Sequence, residues 1–274
     1  MRSTLCAPIR VLLLLATLAG STLAARAVPV LVPLAGRQVE VDLARPAAAR
    51  AVVVFENGSR ETMDTWAAVR AQLPPDVAVF AYNRPGYGRS EASATARDGR
   101  TIVDELRGLL RAQGFAPPYV LVGHSLGGLY AQVFARAHPD EVRGLVLVDA
   151  VYPGIIKRPE EFPLYTRVAK HLFLDAAVEA EIDRIHETGV EALALPEPGA
   201  TPIVQLFNVP KGATAVAVDF GTVNDDEATR ARVKALYPRA RKVILDSDHR
   251  IQTANPEAVV EAISSVLGPA RAAP

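Results

Sequence analysis

The stretch "LVGHSLGGLY" (121–130) constrains this chain more than any other. A serine stands between glycines two positions to either side, with the apolar run "YVLV" before it and the helix-like pattern "LYAQVFARAHP" after it. Small residues at 123 and 127 let a strand bend sharply into a helix, and that strained turn is what lifts Ser125 clear of the backbone. The Leu126 amide then lies at the positive end of the new helix, where it can point at negative charge developing on an oxygen. Ser125 is therefore a candidate nucleophile, provided the rest of the chain supplies a base, an acid and a second amide in the right places.

The surrounding pattern supplies the required strand–turn–helix context. Short valine-rich runs at 51–55 ("AVVVF"), 77–82 and 142–148 ("VRGLVLV") read as buried strands. Between them, 101–112 carries helical spacing at Ile102, Leu106 and Leu109, and a helix is expected from the Ser125 turn through Ala137. Strands alternating with helices predict an α/β fold around a mostly parallel sheet. An opening hairpin is expected over 28–43, around Gly36. From 151 to about 211 the alternation breaks, prolines cluster at both ends, and 162–195 reads as two amphipathic helices separated near Leu174. We read this as a cap inserted into one domain spanning 28–274. Strand-like runs resume over 203–220, followed by a helix at 227–236, a strand at 242–245 and a last helix at 256–267 with Pro256 near its start.

Composition excludes several classes of function. Lys and Arg number 30, and so do Asp and Glu, so a nucleic acid or anionic membrane is not the expected partner. Past the N-terminus no run reaches the 18 or so apolar residues a bilayer span needs, which argues against stable membrane insertion. Residues 1–27 have the layout of a secretory signal peptide: Arg2 and Arg10, an apolar core at 11–19, and small residues at Ala25 and Ala27. The expected location is outside the cell or in a periplasm. Cys6 is the only cysteine and lies in that segment, so the remaining chain offers no thiol nucleophile, disulfide or thiolate metal site. No H-x-x-x-H is present, and "NDDE" (224–227) reads as a helix cap with acidic first-turn residues. "RPGYGRS" has glycines but opens no helix after the pattern of a phosphate loop. No metal or cofactor is expected, and the oligomeric state is left open.

With "VVVFENGSRETMDTW", "FAYNRPGYGRS", "LVGHSLGG", "HPDEVRGLVLVDA" and a late histidine before a terminal helix, the chain resembles the α/β-hydrolase superfamily over 52–267. It is most similar to small, esterase-like serine hydrolases with a helical cap. The resemblance implies nucleophilic catalysis by Ser125 and an oxyanion hole formed by the backbone amides of Leu126 and Ser59. Ser59 follows Asn57-Gly58, where the family usually has His-Gly. His249 takes the general-base position, although "DSDHR" replaces the family's usual Gly before it; imidazole suits the role because it titrates near neutrality. His124 sits in the turn with its side chain expected to point away from the nucleophile. His138 closes a helix, and His171 and His186 lie on cap helices. The acid stays open. Asp149 ends the strand after the nucleophile helix, as in certain haloalkane dehalogenases. Asp219, Asp225 and Asp226 lie near the commoner position, 221–224, which itself holds no carboxylate.

The implied reaction is cleavage of a carboxylic ester or related acyl bond through an acyl-enzyme, on a small acyl substrate. Phe162, Leu164, Leu172, Phe173 and Leu174 are expected to line its pocket from the cap. A lactonase, amidase or cofactor-free haloperoxidase would share the triad, whereas a dehalogenase or epoxide hydrolase would need Asp at 125. The off-register acid and the "DSDHR" loop leave a rival from another class: a non-catalytic ligand-binding protein that kept the fold.

Overall fold

The computed structural model describes residues 28–209 and 227–268. The expected signal segment, the strand-like run after 209, and Asp219, Asp225 and Asp226 lie outside the described residues. The strands are β1 (Val30–Leu34), β2 (Arg37–Ala44), β3 (Ala51–Glu56), β4 (Val77–Tyr82), β5 (Tyr119–His124), β6 (Val142–Val148), β7 (Ile203–Asn208) and β8 (Arg241–Leu245). They form one sheet in the order β1-β2-β4-β3-β5-β6-β7-β8. β1 and β2 form the expected hairpin, antiparallel to each other, and β2 also runs antiparallel to β4; every other pairing is parallel. The hairpin loop is two residues long, with Ala35 at φ 47° and Gly36 at φ 82°. Positive φ at both positions is what a tight turn matched to the strands' twist requires.

The helices are α1 (Ala67–Arg70), α2 (Gly99–Ala112), α3 (Ser125–Ala137), α4 (Leu164–Phe173), α5 (Ala176–Asp183), α6 (Ile185–Ala194), α7 (Glu227–Leu236), α8 (Ile251–Ala254) and α9 (Pro256–Leu267). α2 starts where Asp98 accepts the Thr101 N–H, and α9 where Asn255 accepts the Ala258 N–H, each satisfying a first-turn donor. None of these helices is long and apolar enough to cross a membrane.

Alternation along the central strands explains why they are apolar throughout. Val54, Leu121, Leu145 and Leu147 face one core with Leu109, Phe134 and Val133 of α2 and α3. Val53, Phe55, Val120, Val122, Val146 and Val148 face the other, with Ile251, Val259 and Ile263 of α8 and α9. A parallel strand covered on both faces has no solvated side to mark with polar residues. The chain leaves β3 for β4 on one side and returns past β3 to reach β5. The sheet's order therefore reverses between β3 and β5, and the carboxyl ends of strands at such a reversal border a crevice.

Between β6 and β7 lie three helices, not two. The expected break at Leu174 is present, with extended dihedrals there (φ −102°, ψ 140°). A second break falls at Arg184, which leaves helical geometry at φ −103°, ψ 0°. The restart lets α6 turn Ile185 and Thr188 inward, and the Thr188 hydroxyl accepts the Gly99 N–H at the start of α2 (2.9 Å).

Candidate active site

Ser125 opens α3 immediately after β5, with φ at 49°, a left-handed conformation that a non-glycine residue adopts only at a cost of about 1–3 kcal/mol. The neighbouring glycines are there for contact. A Cβ on Gly127 would strike the carbonyl oxygens of Glu56 and Asn57, one on Gly123 would strike Gly127 and Gly128, and one on Gly128 would strike Ala150. The turn is thus wedged between the ends of β3 and β6, and no side chain fits in those gaps. Leu126 is buried, and its N–H belongs to the first turn of α3, where helix geometry leaves amides without intrahelical partners.

Asp149 follows β6, also in left-handed conformation (φ 38°). Its N–H donates to Leu206 O (2.9 Å), and its Oδ1 accepts the Asn208 N–H (3.2 Å), so β7 holds both its backbone and its carboxylate. The other oxygen, Oδ2, meets His249 Nδ1 at 2.7 Å. His249 lies in the loop between β8 and α8, with its side chain 50% exposed. Burial alone would lower its pKa, but the hydrogen bond and charge of Asp149, with the charges of Glu61 and Asp248, outweigh that and raise it above the usual imidazole value. The "DSDHR" loop closes on itself, since Asp248 Oδ1 accepts the Arg250 N–H (3.1 Å). Asp in place of the family's Gly is accommodated by that turn. The backbone also links the two elbows: Val151 N–H donates to Ser125 O (2.9 Å).

The loop after β3 answers how Asn57 replaces histidine. Asn57 is buried; its amide donates to Tyr82 O (2.7 Å), and its oxygen accepts Trp66 Nε1–H (2.9 Å). The carbonyls of Asn57 and Gly58 accept from Arg84 at 2.6 and 3.2 Å. With both carbonyls held, the next amide, Ser59 N–H, is left without an acceptor among the described residues.

Arg84 is a functional-site residue the sequence reading passed over. Its guanidinium is fully buried, bonded to Glu56 (2.8 Å) and, in a two-pronged contact, to Glu181 of α5 (2.8 and 3.0 Å). Tyr82 donates to Glu56 (2.6 Å), and Tyr87 donates to Glu181 (2.8 Å). Burial pushes the Glu56 pKa up despite the opposing pull of Arg84. The cluster ties the insertion to the β3 loop. Its signal was present in "NRPGYGRS": an arginine two residues past the end of a buried strand must either exit to solvent or find buried acids.

The remaining expectations divide. His124 does point away from Ser125: its Nδ1 lies 2.7 Å from Glu61 Oε2 and its Nε2 3.0 Å from the His249 carbonyl. His138 caps α3, His171 pairs with Glu179 on the exposed side of α4, and His186 Nδ1 bonds Ile156 O. Of the five residues expected to line an acyl pocket, Phe162 is buried (3% exposed) in a cluster with Leu126, Tyr130, Val151 and Ile182, and Leu174 packs against it. The other three are a correction: Leu164, Leu172 and Phe173 are 73%, 68% and 73% exposed. The reason is that α4 seats its polar side inward. Thr166 and Lys170 are its buried residues, and the Lys170 ammonium pairs with Asp183 and Glu179. Clefts of about 170 and 150 Å³ elsewhere in the molecule, one between 197–203 and 237–240 and one between α2, α3 and α6, are not lined by Ser125, Asp149 or His249.

A family described as alpha/beta hydrolase fold matches residues 51–177. Among curated proteins, the chain is similar to the uncharacterized protein YqjL of Bacillus subtilis, 34% identical over 97 residues, covering 35% of this chain and 38% of that one. The chain spans between 18% and 51% of the length of the first three such relatives. Among solved structures, it is similar to a thermophilic esterase from Thermogutta terrifontis at 20% identity (TM-score 0.63, covering 86% of this chain and 97% of that one). It is also similar to a membrane phospholipase A described as a bacterial virulence factor, at 17% identity (TM-score 0.61, covering 88% and 85%). At these identities the structural likenesses speak to the fold.

Proposed function

We propose that this chain, whose fold is that of the α/β hydrolases, is an exported serine hydrolase that cleaves a carboxylic ester or related acyl bond. The observation that carries the reading is the 2.7 Å bond between His249 Nδ1 and Asp149, formed at the strand edge from which Ser125 emerges. With Nδ1 committed to a carboxylate, the proton-accepting nitrogen is Nε2, and the imidazolium that forms is stabilised by the same carboxylate.

The steps follow from these positions. Ser125 Oγ attacks the acyl carbonyl carbon while His249 Nε2 takes its proton. The carbonyl oxygen becomes an oxyanion held by the Leu126 and Ser59 amides. Collapse of the intermediate expels the alcohol, which leaves with the proton from His249, and the acyl group stays on Ser125. Water, deprotonated by His249, then attacks the acyl-enzyme and releases the acid. Asp149 does not change protonation; it orients the ring. The resemblance argues against dehalogenase or epoxide chemistry because position 125 is serine. The Asp149–His249 bond weighs against a purely ligand-binding role, since orienting an imidazole at the strand edge beside a strained serine serves proton transfer. The substrate is a small acyl compound.

The test is hydrolysis of p-nitrophenyl esters from acetate to caprylate by the purified chain, with Ser125→Ala as the control. Turnover that is lost in Ser125→Ala supports the reading. A folded protein with no turnover on any ester, thioester or lactone overturns it.

A further inference from the structure

Beneath the Asp149–His249 pair lies a second carboxylate–histidine pair, Glu61 and His124. His124 is buried, with its ring 4.7 Å from that of His249 and edge-on to Trp66 at 6.5 Å. Both ring nitrogens face oxygens: Nε2 the His249 carbonyl (3.0 Å), Nδ1 the Glu61 Oε2 (2.7 Å). A carbonyl only accepts, so Nε2 bears a proton. The same Oε2 also receives the Gly58 N–H (3.2 Å) and the Gln252 amide (3.5 Å). That oxygen thus holds the ring from the Nδ1 side while it also ties Gly58 and Gln252.

We propose that His124, held by Glu61, is a positioning residue that grips the backbone of the catalytic histidine. The charged groups facing it are Glu61, from the loop after β3, and the His249 ring, which itself faces Asp149 and Asp248. Glu61 is consistent with this role. Burial would raise its pKa, but the bond to His124, the charge of His124, the Gly58 N–H and the charge of His249 bring it below the ordinary value. His249 is half-exposed, and its loop's other tie at that residue is the side-chain bond to Asp149. Gripping its carbonyl fixes the height and tilt at which Nδ1 meets Asp149, and with them the direction of Nε2. His124 is also the residue before the nucleophile, so the elbow and the histidine loop are located by one side chain.

The catalytic consequence rests on the function proposed above; the hold on the His249 backbone does not. In the intact chain labelled with ¹⁵N-histidine, His124 is expected to show a directly bonded proton on Nε2, assigned by its loss in His124→Phe. In His124→Phe, kcat is expected to fall on the order of 100-fold with KM unchanged, the effect of a misplaced reacting group. The downfield His249 Nδ1–H resonance should broaden or vanish in the same variant. A wild-type His124 whose Nε2 carries no proton overturns the proposal, whether or not the variants fold. So does a folded His124→Phe that keeps both kcat and the His249 resonance. Absence of esterase turnover in the wild type would instead strike at the proposed function and leave the nitrogen measurement standing.

Discussion

The two sides of the candidate site are built differently. On the sheet side, Ser125, Asp149 and the Asn57–Ser59 loop sit at the ends of β5, β6 and β3, in register with neighbouring strands and packed through glycines against backbone. On the insertion side, α4, α5 and α6 are short, and α4 shows Leu164, Leu172 and Phe173 to solvent. One buried carboxylate, Glu181, ties that side to the oxyanion loop through Arg84. The difference teaches where precision is needed. Groups that exchange protons must be placed to within a fraction of an ångström, and the sheet does that. Groups that only surround an acyl chain tolerate looser support.

Substitutions on each side sharpen the contrast. The largest effect is expected at Ser125: Ser125→Ala should lower kcat on the order of 10⁶-fold, as removal of a serine nucleophile does elsewhere. Ser125→Gly should be equally inactive yet melt higher than Ser125→Ala, because glycine adopts φ 49° without strain. If Ser125→Gly melts lower, the turn is not strained in the way described here.

Next comes Asp149→Asn, for which a loss on the order of 10⁴-fold in kcat is the precedent, through the wrong imidazole tautomer. The pH profile adds a sign. Because Asp149 raises the His249 pKa, wild-type kcat/KM should rise with pH through a limb above the usual imidazole value. In Asp149→Asn that limb should move to lower pH, since the neutral amide no longer favours the imidazolium. An unmoved limb would contradict the assignment.

Glu181→Leu tests the tie between the two sides. It leaves Arg84 buried with Glu56 as its remaining carboxylate, and breaking one partner from a buried charge cluster costs about 3–5 kcal/mol. Urea unfolding should show that loss. A double substitution, Arg84→Met with Glu181→Leu, should recover part of it. The smallest effect is expected on the exposed face: Leu172→Gln and Phe173→Gln should change stability by less than about 0.5 kcal/mol. Acyl-chain preference across the ester series should be unchanged in both, whereas Phe162→Ala should alter it.

What was legible in the sequence follows the same division. The valine runs of β3, β5 and β6 are apolar because both faces are covered, so strand and sheet type could be read directly. "GHSLGG" has one structural use, and its glycines could be read as contacts. Asp149 and His249 were candidates by position, but their meeting is a tertiary fact: the two lie a hundred residues apart, and only the sheet edge unites them. α4 shows the opposite case. Its amphipathic spacing is real, but periodicity reports that a helix has two faces without saying which is buried; Lys170, paired with Asp183 and Glu179, turned the polar face inward. Glu61, Arg84 and Glu181 escaped for a related reason. A charge in sequence looks solvated until its partner is known, and these partners come from separate elements.

The central claim is that the strand ends assemble an activated serine. It is tested most directly by exposing the intact chain to a fluorophosphonate and mapping the adduct by mass spectrometry, in wild type and in Asp149→Asn. The account predicts one adduct, on Ser125, forming rapidly in wild type and several orders of magnitude more slowly in Asp149→Asn. A folded wild-type protein that takes no adduct at Ser125, or an Asp149→Asn variant labelled at the wild-type rate, would contradict it.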